Sequence, residues 1–110
     1  MKVDVTRELR GVDGTPLKLD DGSPATVRAV VTAALVSHHA QEAPQPDGVE
    51  KFRRYRLAVK VTEEDRPELT LGERKTILDL VALMYAPLVC GQVWELLDTR
   101  EDSRETEEAR

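Results

Sequence analysis

Ser23-Pro24 followed by Val27, Val30, Val31, Ala34 and Leu35 is the segment that most narrows what this chain can fold into. These apolar residues recur at i, i+3, i+4, i+7 and i+8, so on a helix they form one stripe that needs a surface to cover it. Serine as the N-cap and proline at the first helical position predict the start, and the stripe predicts an end near Ser37. Only Phe52, Tyr55, Tyr85 and Trp94 are aromatic among the 110 residues. The covering core is therefore aliphatic, and a chain of this length fits one domain with a modest core.

Upstream, residues 2–9 alternate, with Val3 and Val5 on one face and Asp4 and Thr6 on the other, the period-two signal of a half-buried strand. Asp13-Gly14 and Asp20-Asp21-Gly22 flank short apolar pieces and read as turns. Residues 1–22 are thus predicted to form a β-hairpin, which has to pack on something because a lone hairpin is marginal in water.

Downstream, residues 38–48 read as a loop. A second helix is expected from about Val49 to Val61, with Val49, Phe52, Tyr55 and Val59, together with Ala58, facing inward. Thr62 to Pro67 ends it. Thr70 with Glu73 three residues on matches a capping box and opens a third helix carrying Ile77, Leu80, Val81 and Met84. Leu78 and Leu83 lie off that stripe, which predicts a central helix. Ala86-Pro87 interrupts it, and Pro87 opens a fourth helix with Val89, Val93, Leu96 and Leu97. Residues 99–110 form a charged tail, and neither an internal repeat nor a heptad run is read. The expected fold is α+β and mostly α: an N-terminal β-hairpin followed by three or four short helices, with residues 1–98 as one globular domain. Its expected core is Val27, Val31, Leu35, Phe52, Ile77, Leu80, Val81, Leu96 and Leu97.

Charge and cysteine content exclude several functions. The formal net charge is −5, which argues against general nucleic-acid binding, since that draws its affinity from neutralising phosphates. A single cysteine, Cys90, excludes an internal disulfide and a cysteine-based zinc site. The N-terminal residues are broken by charge and do not read as a signal peptide. No apolar run reaches the roughly 18 residues of a membrane span, so the expected location is the cytoplasm, with no membrane partner.

No catalytic set can be written from these residues. His38-His39 are adjacent, point in different directions, and have no third metal ligand at a usual spacing. Cys90 sits among Pro87, Leu88, Val89 and Gly91, where a small buried residue fits better than a nucleophile, which needs a depressed pKa and an orienting group. Asp20-Asp21, Glu63-Glu64-Asp65 and Glu107-Glu108 lie in hydrophilic stretches without the spacing of a calcium loop. The glycines form no phosphate loop. The expectation is no enzyme, no metal and no cofactor.

The basic second helix carries more weight. Residues 50–60 hold five basic groups and one acid, +4 on an otherwise acidic chain. Lys51, Arg53, Arg54 and Arg56 read either as a docking face for an acidic partner or a phosphate backbone, or as a solvated helix face balanced by the acidic tail. Trp94, between core positions Val93 and Leu97, either fills core or anchors an interface.

The order of motifs has a family resemblance. Leu9, Asp13-Gly14-x-Pro16-Leu17 and Asp21-Gly22-x-Pro24-x-Thr26, leading into a helix ending Ala34-Leu35, form one block. Glu50-Lys51-x-x-Arg54-Tyr55-x-Leu57-Ala58 and Glu68-Leu69-Thr70 form a second. Tyr85-Ala86-Pro87-Leu88-Val89-x-Gly91-Gln92-x-Trp94-Glu95-Leu96-Leu97 forms a third. Together, over about residues 9–98, they resemble small proteins of tailed bacteriophages and prophages. The proline-containing loop at 40–48 and the charged C-terminal extension depart from that pattern. The resemblance implies a phage context, hence the host cytoplasm, and carries over no catalytic or binding residue. The function expected is non-enzymatic binding of a host or phage protein, as a modulator or assembly factor. The alternative is a structural virion component or self-assembling oligomer using Leu78 and Leu83.

Overall fold

Among the described residues four helices account for the regular structure: α1 (Val27–Val36), α2 (Gly48–Glu63), α3 (Leu71–Met84) and α4 (Pro87–Leu97). The computed structural model describes residues 1–97, so the charged tail expected over 99–110 lies outside the described residues. α2 packs on α1, α1 on α3, and α3 on α4.

The expected α+β class with an N-terminal β-hairpin is not what forms. Among the described residues there is no sheet, only isolated antiparallel bridges: Lys2 with Glu68, Glu8 with Thr26, Arg10 with Pro16, and Lys18 with Pro24. The period-two pattern does govern burial, since Val3 and Val5 are buried while Lys2 and Asp4 are exposed. Its partner, however, is distant in sequence. Val3 N–H donates to Pro67 O (3.1 Å), Val5 N–H to Asp65 O (3.0 Å), and Leu69 N–H to Met1 O (2.8 Å).

Residues 9–25 close on themselves through a repeat that the sequence reading missed. Leu9-x-x-x-Asp13-Gly14-Thr15-Pro16 is echoed by Leu17-x-x-x-Asp21-Gly22-Ser23-Pro24. Each unit makes the same tight turn. Gly11 N–H donates to Thr15 O and Leu19 N–H to Ser23 O, while Asp13 and Asp21 accept the N–H and hydroxyl of Thr15 and Ser23. Gly14 and Gly22 adopt φ of 88° and 87°, where a side chain would be strained. Leu17 N–H donates to Leu9 O, Ala25 N–H to Leu17 O, and Leu9 N–H to Ala25 O. Three segments joined in a ring have one ladder step per edge, which is why bridges form and strands do not.

This N-terminal layer also finishes α1. The first-turn amides of Val27 and Arg28 have no helical acceptor and donate instead to the carbonyls of Arg7 (2.9 Å) and Val5 (2.8 Å). The N-cap is Thr26, whose hydroxyl accepts from Ala29 N–H at 3.2 Å, and not Ser23, which is consumed by the second Asp-Gly turn. The Thr70–Glu73 capping box forms as its spacing predicts, and Pro87 is the first residue of α4.

The core is aliphatic. Val27, Val31, Leu35, Ile77, Leu80, Val81 and Leu97 are buried as expected, joined by Val3, Val5, Leu9, Leu57, Val61, Leu69, Leu78 and Val93. Leu96 packs on the core only partly buried. Phe52 does not belong to it at all, being 62% exposed. Gln92 ties α4 to the N-terminal layer as a strand would: its Oε1 accepts from Arg10 N–H (2.9 Å) and its Nε2 donates to Arg10 O (2.7 Å).

Candidate functional site

α2 carries two apolar stripes on opposite faces. At 100° per residue, Leu57, Ala58 and Val61 fall on one side of the helix and Val49, Phe52, Tyr55 and Val59 on the other. The structure buries the first stripe against α1. The second, expected to face inward, faces outward: Val49 is 72%, Phe52 62% and Tyr55 56% exposed, with Val59 half-buried. The Phe52 and Tyr55 rings lie 6.4 Å apart, tilted by 34°, as one aromatic patch.

Two polar ties set this rotation. Arg28 on α1 reaches the C-terminal end of α2, with Nε donating to Val61 O (3.0 Å) and Nη2 to Glu64 O (3.0 Å) and Asp65 Oδ1 (2.7 Å). A guanidinium there satisfies carbonyls the helix leaves open and complements its dipole. On the same inward face, Arg54 donates through Nη1 and Nη2 to the two oxygens of Glu42, and through Nε to Glu50 (3.1 Å). Its side chain is 11% exposed and that of Glu42 19%. The bidentate guanidinium holds the Glu42 carboxyl below its ordinary range, and Glu42 in turn raises Arg54.

The basic residues of the helix therefore split. Arg54 points inward and serves the fold. Arg53 is solvent-facing but bonded to Glu50, and Lys60 is drawn to Glu73 (3.7 Å) and the Glu68 carbonyl. Lys51 and Arg56 are exposed, and neither makes an ion pair among the described residues. Past Val59 the same outward side turns acidic at Glu63, and the C-cap Glu64 beyond it is exposed as well. A groove of about 490 Å³ runs beside this face toward the start of α3, lined by Phe52, Arg53, Arg56, Lys60, Glu63 and Glu73. A second hollow of about 330 Å³ lies between the end of α1 and the start of α2, where His38, Lys51 and Tyr55 meet.

The remaining sequence candidates do not converge on this face. Trp94 is half-buried against the core on α4, two helices away in the packing order. His39 is buried, its Nε2 2.7 Å from Ala34 O; a carbonyl only accepts, so that nitrogen carries the proton. His38 is exposed. Cys90 packs partly buried beside the core. Among the described residues, no group of three or more His, Cys, Asp or Glu side chains could hold a metal. No described helix is long and apolar enough to cross a membrane. Leu78 is 2% exposed and unavailable as an assembly surface, whereas Leu83 is 41% exposed.

No protein-family model matches the sequence, and no curated protein or solved structure matches it.

Proposed function

We propose that this chain is a binding protein without catalytic chemistry of its own, and that its contact surface is the outward face of α2. The observation that carries this reading is the stripe of Val49, Phe52 and Tyr55, placed in solvent beside half-buried Val59, with Lys51, Arg53 and Arg56 around it. Aromatic residues beside arginine are the composition of interface anchors, and a fold with so few aromatics places two of its four where they contribute little to its core. The partner is a protein with an apolar strip flanked by carboxylates. With the resemblance to small phage proteins, that partner is a host or phage component, and the chain acts as a modulator or assembly factor.

A second reading, self-assembly, is favoured by the change of charge sign along the same face, from Arg56 to Glu63.

The test is a pull-down from host lysate, infected and uninfected, with the wild-type chain and a Phe52→Asp/Tyr55→Asp variant whose fold is checked by circular dichroism. The proposal expects a stoichiometric partner that the folded variant loses. Arg53→Glu/Arg56→Glu should weaken the same interaction; Arg54 is left intact because reversing it would break its pairing with Glu42. Undiminished capture by the folded aromatic variant would overturn the assignment.

A further inference from the structure

We infer that the hollow between the end of α1 and the start of α2 is a binding site for a small carboxylate with an apolar, ring-sized body. The site does not rest on the docking-face reading. Of the outward stripe of Val49, Phe52, Tyr55 and Val59, only Tyr55 lines it. Its volume of about 330 Å³ lies at the small end of ligand pockets. A dry cavity of about 150 Å³ holds a benzene ring, so this hollow has room for a ring and a short carboxylate arm. Leu35 and Val36 from α1, Pro46 from the loop and Tyr55 from α2 give it apolar walls.

The charge of the ligand follows from which lining groups are already engaged. Glu42 is the one acid that lines the hollow, and both its oxygens accept from Arg54. Arg54 is committed to Glu42 and Glu50. Lys51 makes no ion pair among the described residues, so its ammonium is the charge left over. Open carbonyls at the end of α1 would repel an anion, but two of them are taken. Ala33 O accepts the Ser37 N–H (3.1 Å) and hydroxyl (2.6 Å), and Ala34 O accepts Nε2–H of His39 (2.7 Å). A carboxylate beside Lys51 therefore meets one uncommitted cation and no uncommitted acid.

The chain itself holds the wall in place. Residues 38–47 form no helix or strand. Even so, Gln45 Nε2 donates to the carbonyls of His39 (2.9 Å) and Glu42 (2.8 Å), and Glu42 N–H donates to His39 O (3.1 Å). A site formed in advance loses little affinity to ordering.

The test is a two-dimensional amide NMR titration of the full chain with phenylpropionate, beside its uncharged analogue phenylpropionamide, to about 20 mM. That range covers the millimolar affinity expected of so few ligand atoms. The acid should give saturable shifts at Val36, Ser37, Lys51 and Tyr55, with the amide about threefold to tenfold weaker. Lys51→Met, which keeps the stem and removes the charge, should bring the acid down to the affinity of the amide and leave the amide unchanged. Phe52→Ser should alter neither. No saturable shifts at the hollow, equal binding of acid and amide, or an acid indifferent to Lys51→Met each overturns the inference. So do shifts that centre on Phe52 and Val59 and vanish in Phe52→Ser. N-acetyl-glycyl-phenylalanine, with a free C-terminal carboxylate, identifies the source. Binding like that of phenylpropionate makes the occupant the C-terminus of a partner chain; binding of phenylpropionate alone makes it a free small acid. Either result keeps the inference.

Discussion

α1 and α2 lie against each other yet dispose of their apolar residues differently. α1 buries Val27, Val30, Val31, Ala34 and Leu35, leaving only Val36 among its larger apolar side chains in solvent. α2, six residues longer by 16 to 10, buries only Leu57, Ala58 and Val61 and turns Val49, Phe52 and Tyr55 outward. The apolar stripe of α1 is explained by the fold, as are its Thr26 cap and the N-terminal carbonyls that take its first amides. The outward stripe of α2 is not. Apolar surface that the fold leaves uncovered is what a contact surface requires.

The sharpest way to break this contrast is to remove core from α1. Leu35→Ala, at 3% exposure, should cost about 3 kcal/mol of unfolding free energy in urea. A loss below 1 kcal/mol would mean that the α1 stripe does not face a packed core. Next is the tie that rotates α2. Arg54→Met leaves Glu42 and Glu50 without their guanidinium and should cost about 2 kcal/mol at pH 7, less than a fully buried pair because the site is partly solvated.

The same tie has a pH signature. The Glu42 carboxyl is held below its ordinary value of 4.5, so folding favours its ionised form. That stability is fully present above the unfolded value and is lost as pH falls through the folded one. The wild-type advantage over Glu42→Gln should therefore be constant above about pH 5.5 and shrink steadily in acid. An advantage independent of pH down to the acid transition would remove Glu42 from the account. Smaller still, Asp47→Ala removes the oxygen that accepts Glu50 N–H at 2.9 Å and should cost about 1 kcal/mol, read as a shift in thermal midpoint.

Local chemistry was legible and distant pairing was not. The Thr70–Glu73 box, the Pro87 start and the α1 stripe follow from residues within a turn or two of each other, and all three form. The alternation of Val3 and Val5 gave the right buried face, but nothing near it reveals that residues 65–69 are its partner. The two Asp-Gly turns were visible; their eight-residue repeat, and the ring it closes, went unread because each unit is short and its apolar residues are few. For α2 the sequence holds two competing stripes. Choosing Val49, Phe52, Tyr55 and Val59 follows side-chain bulk, whereas the helix is turned by Arg28 and by the pairing of Arg54 with Glu42, twelve positions away. The basic run likewise overstated the exposed charge, because Arg54 and Lys60 are spent on neighbours within the chain.

The most direct test is equilibrium urea unfolding of the wild-type chain and of Phe52→Ser/Tyr55→Ser, followed by the single Trp94 at about 1 µM, where weak self-association contributes little. With both rings in solvent, the two unfolding free energies should agree within about 0.5 kcal/mol. A loss of 3 kcal/mol or more, roughly what removing a buried aromatic costs, would place the rings in the core and contradict the account of α2.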